Sequence, residues 1–220
     1  MSVIPTPAAT VVLMDDMARV YMTKRPETMK FLGGYFVFPG GAVEQTDKLI
    51  DDEYIRNLTS DETFHYSYYV AAVRELYEEV GILLCNKSDN SFLQVQKEKE
   101  QENRRLLMTG ELTFLQFLKQ EELYLDLTDL TYFGNLITPE ISPIRFDTRF
   151  FLARLPEGQE PNPDIYEIDE ALWISPKEAL SANKKGIMPM VLPTIATLHA
   201  INNYLLGNPL KMPNILNGRF

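Results

Sequence analysis

The 220-residue chain has a formal net charge of −10, with 45% apolar and 24% charged residues. That size and composition predict one well-buried domain with elaborations, here taken as residues 1–220. The acidity excludes general nucleic-acid binding, which needs a basic footprint, and no run reaches the roughly 18 consecutive apolar residues of a membrane helix.

The first twenty residues lack a basic region and interrupt their apolar stretch with prolines and an Asp pair. They are expected to begin the first strand rather than to act as a secretion signal. Ala8 to Leu13 and Arg19 to Lys24 predict two strands joined by a turn at Asp15-Asp16. Phe36 to Phe38 predicts a third, stopped by Pro39-Gly40-Gly41. A polar stretch from Glu44 to about Ser60 precedes a helix that starts near Phe64 and ends at Val80, with Gly81 as its C-terminal cap. Residues 86–122 predict charged helix, with Lys97 to Arg105 as a solvated face. The single cysteine, Cys85, lies in an apolar run and is expected to be a buried, inert thiol.

Further on, Tyr132 to Thr138 and Phe146 to Leu155 predict strands, and Pro156 to Asp164 a loop. Ala171 to Ile174 predicts a short strand. A helix then starts at Ser175-Pro176, where Ser caps and Pro takes the first helical position. A last amphipathic helix covers 193–206. Strands and helices alternate without repeats, so the fold class is α/β. His65 and His199 have no metal-ligand spacing with each other or with Cys85, and Trp173 is expected in the core.

The informative segment is Tyr69 to Gly81. At about 100° per residue, Tyr69, Val70, Val73, Leu76, Tyr77 and Val80 share an arc of roughly 120°. Glu75, Glu78 and Glu79 fall together on the other side, with Ala71 and Ala72 one turn earlier. Carboxylates at i, i+3 and i+4 repel one another. Taken alone, the pattern reads equally as a solvated face offset by Arg74 or as a cluster that ligates hard cations. The preceding Phe38-Pro39-Gly40-Gly41 adds a strand end where the backbone can approach a metal or phosphate without side-chain obstruction.

Together these residues resemble the Nudix box, the loop–helix signature of the Nudix hydrolase superfamily. Gly41 matches its first glycine, and Arg74-Glu75-Leu76-Tyr77-Glu78-Glu79-Val80-Gly81-Ile82 matches its helical half without a gap. The middle departs from the pattern. The family has about a dozen residues between these halves, whereas residues 42–73 intervene here, so an insertion (about 45–63) splits the box. No Glu satisfies both spacings of the usual intermediate glutamate, and Glu44 and Asp47 stand as candidates. A split box of this kind is similar to the branch that contains the peroxisomal coenzyme A diphosphatases and their bacterial relatives. Lys24-Arg25-Pro26, Ile137-Thr138-Pro139, Arg145 to Phe151 and Trp173-Ile174-Ser175-Pro176 support that placement.

The resemblance implies an α/β/α sandwich around a mixed sheet, and hydrolysis of a small diphosphate substrate with Mg²⁺ or Mn²⁺. Coenzyme A or an acyl-coenzyme A leads as substrate. Nucleotide sugars, dinucleotides or a non-catalytic nucleotide sensor are the alternatives. Glu75, Glu78, Glu79 and Gly41 are the implied metal site, with Glu75, Glu78 and Arg74 as the catalytic machinery. Arg74 is expected to orient the glutamates, and Glu140, Glu167 and Glu170 stay open as the base. Arg25, Arg145 and Arg149 are candidate phosphate contacts, since guanidinium forks fit phosphate; an ion pair with Asp147 is the equal alternative for the last two. The final Asn217 to Phe220 is not a Ser-Lys-Leu-type signal, and a cytoplasmic location is expected, with homodimerisation left open.

Overall fold

The computed structural model describes residues 3–57, 64–87 and 97–213. Thr6–Met14 forms β1, whose Val- and Leu-rich second half is buried. Val20–Lys24 forms β2 and pairs with it antiparallel. The turn between them is fixed by Asp15, whose carboxylate accepts from the amides of Met17 and Arg19 and from Arg19 Nε. Phe36–Val37 (β3) adds to β2.

Strand β3 stops before Pro39-Gly40-Gly41, as composition predicts, but the Gly pair also starts a strand of its own. Gly40–Ala42 is β4, antiparallel to β1 through Ala8↔Ala42, Ala9↔Gly41 and Thr10↔Gly40. Gly40 sits at φ +153°, and a Cβ there would stand 2.3 Å from the Ala9 carbonyl oxygen. Only glycine lets the two backbones lie this close.

Ser67–Val80 is α1. The Ser67 amide donates to His65 Nδ1, which gives that histidine a structural use. The helix ends at Gly81 in the left-handed conformation (φ +72°), whose amide donates to the Tyr77 carbonyl. Residues 86–122 are not one helical stretch. Cys85–Lys87 is β6, Lys97–Met108 is α2, Phe114–Glu121 is α3 and Leu123–Asp126 is β7. With Ile55–Arg56 (β5), the strands β5–β7–β6 form a second, three-stranded sheet.

Thr131–Ile137 is β8, Phe146–Arg154 is β9 and Glu170–Ile174 is β10. The main sheet runs β10–β2–β1–β9–β8, with β1 and β9 parallel from Thr6↔Phe146 to Met14↔Arg154. Odd-numbered residues of β1 (Ala9, Val11, Leu13) face α1 and the small sheet. Even-numbered ones (Val12, Met14) face Pro176–Lys184 (α4) and Leu192–Leu205 (α5). The result is the expected α/β/α sandwich around a mixed sheet. Ser175 caps α4 in a reciprocal pair with Glu178. Trp173 packs edge-on against Tyr21, and Cys85 is buried. Among the described residues, no helix is long and apolar enough to cross a membrane.

The polar segment inserted in the box is partly buried. Asp47, Ile50 and Ile55 are buried, and the Tyr66 hydroxyl donates to the carbonyls of Lys48 and Ile50 at 2.9 and 3.1 Å. Its residues 58–63 lie outside the described residues, as do 88–96 and the final four residues considered above.

Leu76 is fully buried on the face of α1 that the periodicity assigns to the core. Leu76→Ala is expected to lower unfolding free energy by about 2–5 kcal/mol. Urea denaturation of the metal-free protein measures it, and a loss below about 1 kcal/mol would show that this face is not tightly packed.

Candidate active site

Arg74 is 3% exposed and organises the acidic side of α1. Its Nε and Nη2 donate to the two oxygens of Asp47 at 3.0 and 3.1 Å. Nη1 donates to Glu75 Oε1 at 2.9 Å and Glu78 Oε2 at 3.0 Å, and Nη2 reaches the Ala42 carbonyl at 2.9 Å. Asp47 is itself held by the Glu44 amide at 2.8 Å. Of the two carboxylates considered for the middle of the box, Asp47 is therefore the one that anchors the arginine. Glu44 is exposed and lies 4.0 Å from Nη1.

The other two members of the cluster meet the glycine strand. Glu79 Oε2 accepts from the Gly40 amide at 3.2 Å. A Cβ on Gly41 would fall 2.4 Å from Glu75 Oε1, so glycine lets that carboxylate lie directly on the backbone. Ala71 and Ala72 lie one turn before the cluster. Both are fully buried, and α1 packs there across β1 and β4.

The acidic face is not solvated: Glu78 and Glu79 are 7% and 6% exposed. Burial pushes the Glu78 carboxyl up to about 8, against the pull of Arg74. Burial likewise raises Glu75, with Arg74 opposing. Glu79 is raised well above the usual range, first by burial and then by the charges of Glu75 and Glu167. Glu167 is raised by burial and by Asp164. Its charge acts on both Glu75 and Glu79, whereas Glu140 and Glu170 are exposed.

The donor set fits a hard dication. Several carboxylates are desolvated together, and among the described residues Glu79 forms no salt bridge, Arg25 being a cation whose charge opposes its rise. With Glu75 and Glu78 turned onto Arg74 and Glu79 onto Gly40, no three His, Cys, Asp or Glu groups among the described residues form a ready-made metal cage. The fit is therefore one of charge and donor type.

The candidate phosphate arginines divide. Arg25 lies within electrostatic reach of Glu79 and Glu167, and its Nε donates to the Phe31 carbonyl at 3.2 Å. Arg145 is held by backbone carbonyls. It is 9% exposed and commits Nε to the Thr138 carbonyl and Nη1 to that of Val3, so it fastens the start of β1 to the turn after β8. Arg149 pairs with Asp147 and lies over the rings of Phe64 and Tyr68, so the ion-pair alternative describes it.

Arg104 departs from the solvated face expected of its helix. Arg104 belongs to the charged run assigned to solvent, yet it is 5% exposed and bonded to the C-terminal end of α1. Its signal was helical register, since Asn103 and Arg104 precede the buried Leu107 by four and three residues.

Residues 65–201 match the NUDT19 Nudix domain family, and residues 4–118 match the NUDIX domain family. The chain is 29% identical over 194 residues to the putative nudix hydrolase 7 of Caenorhabditis elegans, covering 87% of this chain and 58% of that protein. It is 28% identical over 207 residues to the acyl-coenzyme A diphosphatase NUDT19 of Xenopus laevis, covering 75% and 54%. The chain thus spans a little over half the length of these curated relatives. Among solved structures, the NUDIX hydrolase from Alicyclobacillus acidocaldarius superposes with a TM-score of 0.81 at 28% identity, over 96% of this chain and 99% of that one. The MutT NUDIX hydrolase from Burkholderia pseudomallei shares the fold, with a TM-score of 0.50 at 14% identity over 90% and 98%. The split motif, the glycine strand laid against its acidic helix and the domain matches that together run from residue 4 to residue 201 agree: the chain belongs to the Nudix hydrolase family.

Proposed function

We propose that this chain is a single Nudix domain that hydrolyses a pyrophosphate linkage in a nucleoside-diphosphate-linked substrate, using Mg²⁺ or Mn²⁺. Coenzyme A or an acyl-coenzyme A is the leading substrate class. The observation that carries the reading is the burial of Glu78 and Glu79 with the half-buried Glu75 beside Gly40 and Gly41, an arrangement that is costly without added positive charge. The name of the Xenopus laevis relative and the NUDT19 Nudix domain match support the substrate class.

Glu75, Glu78 and Glu79 would hold the cations, with the Gly41 carbonyl as a further oxygen donor. Bound there, the cations supply charge neutralisation for the phosphate oxygens and an acidified water. The chain's own residues set the geometry. Arg74 fixes the side chains of Glu75 and Glu78 and leaves an oxygen of each carboxylate uncommitted to it. Gly41 allows Glu75 to lie on the strand, where a side chain would collide. Glu167 is the loop carboxylate with a raised proton affinity beside the cluster, and we assign it as acceptor of the attacking water's proton. Arg25, beside Glu79 and Glu167, would contact a substrate phosphate.

Turnover of coenzyme A, an acyl-coenzyme A, ADP-ribose and NADH should depend on Mg²⁺ or Mn²⁺ and vanish with chelator. Products identified by mass spectrometry should be the two halves of a cleaved diphosphate. Activity undiminished in chelator would remove the metal role, and preference for NADH or ADP-ribose would replace the coenzyme A class. In the same assay Glu79→Gln should reduce turnover and Mn²⁺ affinity by orders of magnitude. Its metal-free stability should stay level or rise by tenths of a kcal/mol, because a repelling charge is gone. Strong destabilisation with full activity per folded molecule would make Glu79 a structural residue.

Acidity gives an independent check. In the metal-free folded chain Glu78 titrates near 8, against 4.5 for an ordinary glutamate. Between those values the folded state holds more protons than the unfolded state, so stability falls as pH rises through that window. Excess Mn²⁺ binds the ionised carboxylates and should flatten or reverse the fall. Thermal midpoints from pH 5 to pH 8, with chelator and with Mn²⁺, measure the two slopes. Equal slopes would mean that the cation does not bind these groups.

A further inference from the structure

The main loop after β9 reaches the cluster through the end of α1, and a third element holds that junction. The Asn162 amide donates to the Val80 carbonyl and the Asp164 amide to that of Glu79, each at 2.8 Å. Asp164 Oδ1 then accepts from the amides of Tyr166 and Glu167 at 2.8 and 3.1 Å, a turn that delivers Glu167. From α2, Arg104 Nε and Nη2 donate to the Glu78 carbonyl at 3.1 and 2.9 Å, and Nη2 also to that of Glu79 at 3.1 Å. Nη1 reaches the Asn162 carbonyl at 2.8 Å and Glu100 Oε1 at 3.2 Å. One buried guanidinium thus bridges the backbone of two cluster glutamates and the loop that carries a third.

The chemistry suits the place. Carbonyls at a helix C-terminus lack intrahelical donors and carry partial negative charge, and a guanidinium answers both. Gly81 leaves room for it, since a Cβ there would lie 2.7 Å from Glu100 Oε1 and 3.1 Å from Arg104 Nη1. The glycine that ends the box therefore has a second use in this chain besides its backbone conformation.

We propose that Arg104 is a positioning residue, latching the Asn162–Glu167 loop to the acidic end of α1 so that Glu167 is held at the glutamate cluster. The proposal rests on the hydrolase reading above. It differs from mere packing of α2 on α1, because it ties the order of a distant loop to the rate of the chemical step.

The test compares wild type with Arg104→Lys and Arg104→Met. Hydrogen exchange at the Asn162 and Asp164 amides is followed without metal or substrate, and kcat and KM are measured with Mn²⁺ on the best substrate of the panel. Arg104→Lys keeps the charge at the helix end but cannot bridge all three carbonyls. It should fold, speed exchange at Asp164 by about tenfold or more, and lower kcat by up to about 100-fold while KM changes little. Arg104→Met should show larger effects, and if it does not fold, Arg104→Lys decides. Unchanged exchange at Asp164 overturns the latch. So does faster exchange with full kcat per folded molecule, which would leave Arg104 a purely structural brace. Wild-type inactivity across the whole panel instead strikes the hydrolase reading, a result separable from the exchange measurement because exchange needs no turnover.

Discussion

Arg74 sits almost fully buried and donates to Asp47, Glu75, Glu78 and the Ala42 carbonyl, and the geometry of the acidic helix depends on that shared guanidinium. Three glutamates within two helical turns repel one another, and burial sharpens the repulsion by removing water. A single point charge could not orient two of them while also gripping a loop carboxylate. The planar fork does so because its donors point in fixed, separate directions. Such a network holds only while every member has its partner; a buried charge stripped of its counterpart typically costs 3–5 kcal/mol.

The split in the box has little consequence in space for the same reason. The chain leaves β4, delivers Asp47 to Arg74 within a few residues, and only then departs on its excursion. Ile50 and Ile55 are buried on the way, and just before α1 begins the Tyr66 hydroxyl is bonded to the carbonyls of Lys48 and Ile50. Residues distant in sequence are thus restored to adjacency by one ion pair and two hydrogen bonds from a phenol. The second sheet and α2 extend the domain on this same side, where Arg104 joins them to the end of α1.

Long, periodic elements were legible in the sequence. The core stripe of α1, its glycine cap, the strands later seen as β1, β2, β8 and β9, and the Ser-Pro start of α4 follow from side-chain spacing and backbone preference alone. β4 was not legible, because Gly40 and Gly41 carry no side chain to show alternation and read as a turn. The burial of Asp47 was hidden for a related reason. It lies in a polar stretch whose partner is 27 residues away, and charge composition reports nothing about such a pairing. Arg145 donates to backbone carbonyls that composition does not reveal, and Arg149 pairs with Asp147, the alternative its own strand offered. Arg104 was lost in the average of a run in which most neighbours do face solvent. Composition describes a helix as a whole, whereas burial is decided one face at a time.

The parallel pairing of β1 with β9 joins residues 6–14 to residues 146–154, and β1 is the strand against which both the glycine strand and α1 are packed. On a ribosome, β1 emerges before β2 and β4 and meets them soon after, but one whole edge stays open until β9 has been made. Loop-closure entropy sets the delay, because so distant a contact must be paid for before it returns any stability. The acidic helix is synthesised in that interval, and the loop that carries Glu167 is synthesised after it. The nascent chain therefore carries its full set of box carboxylates on an unfinished sheet, and Glu167 joins them only once β9 and the loop after it have been made.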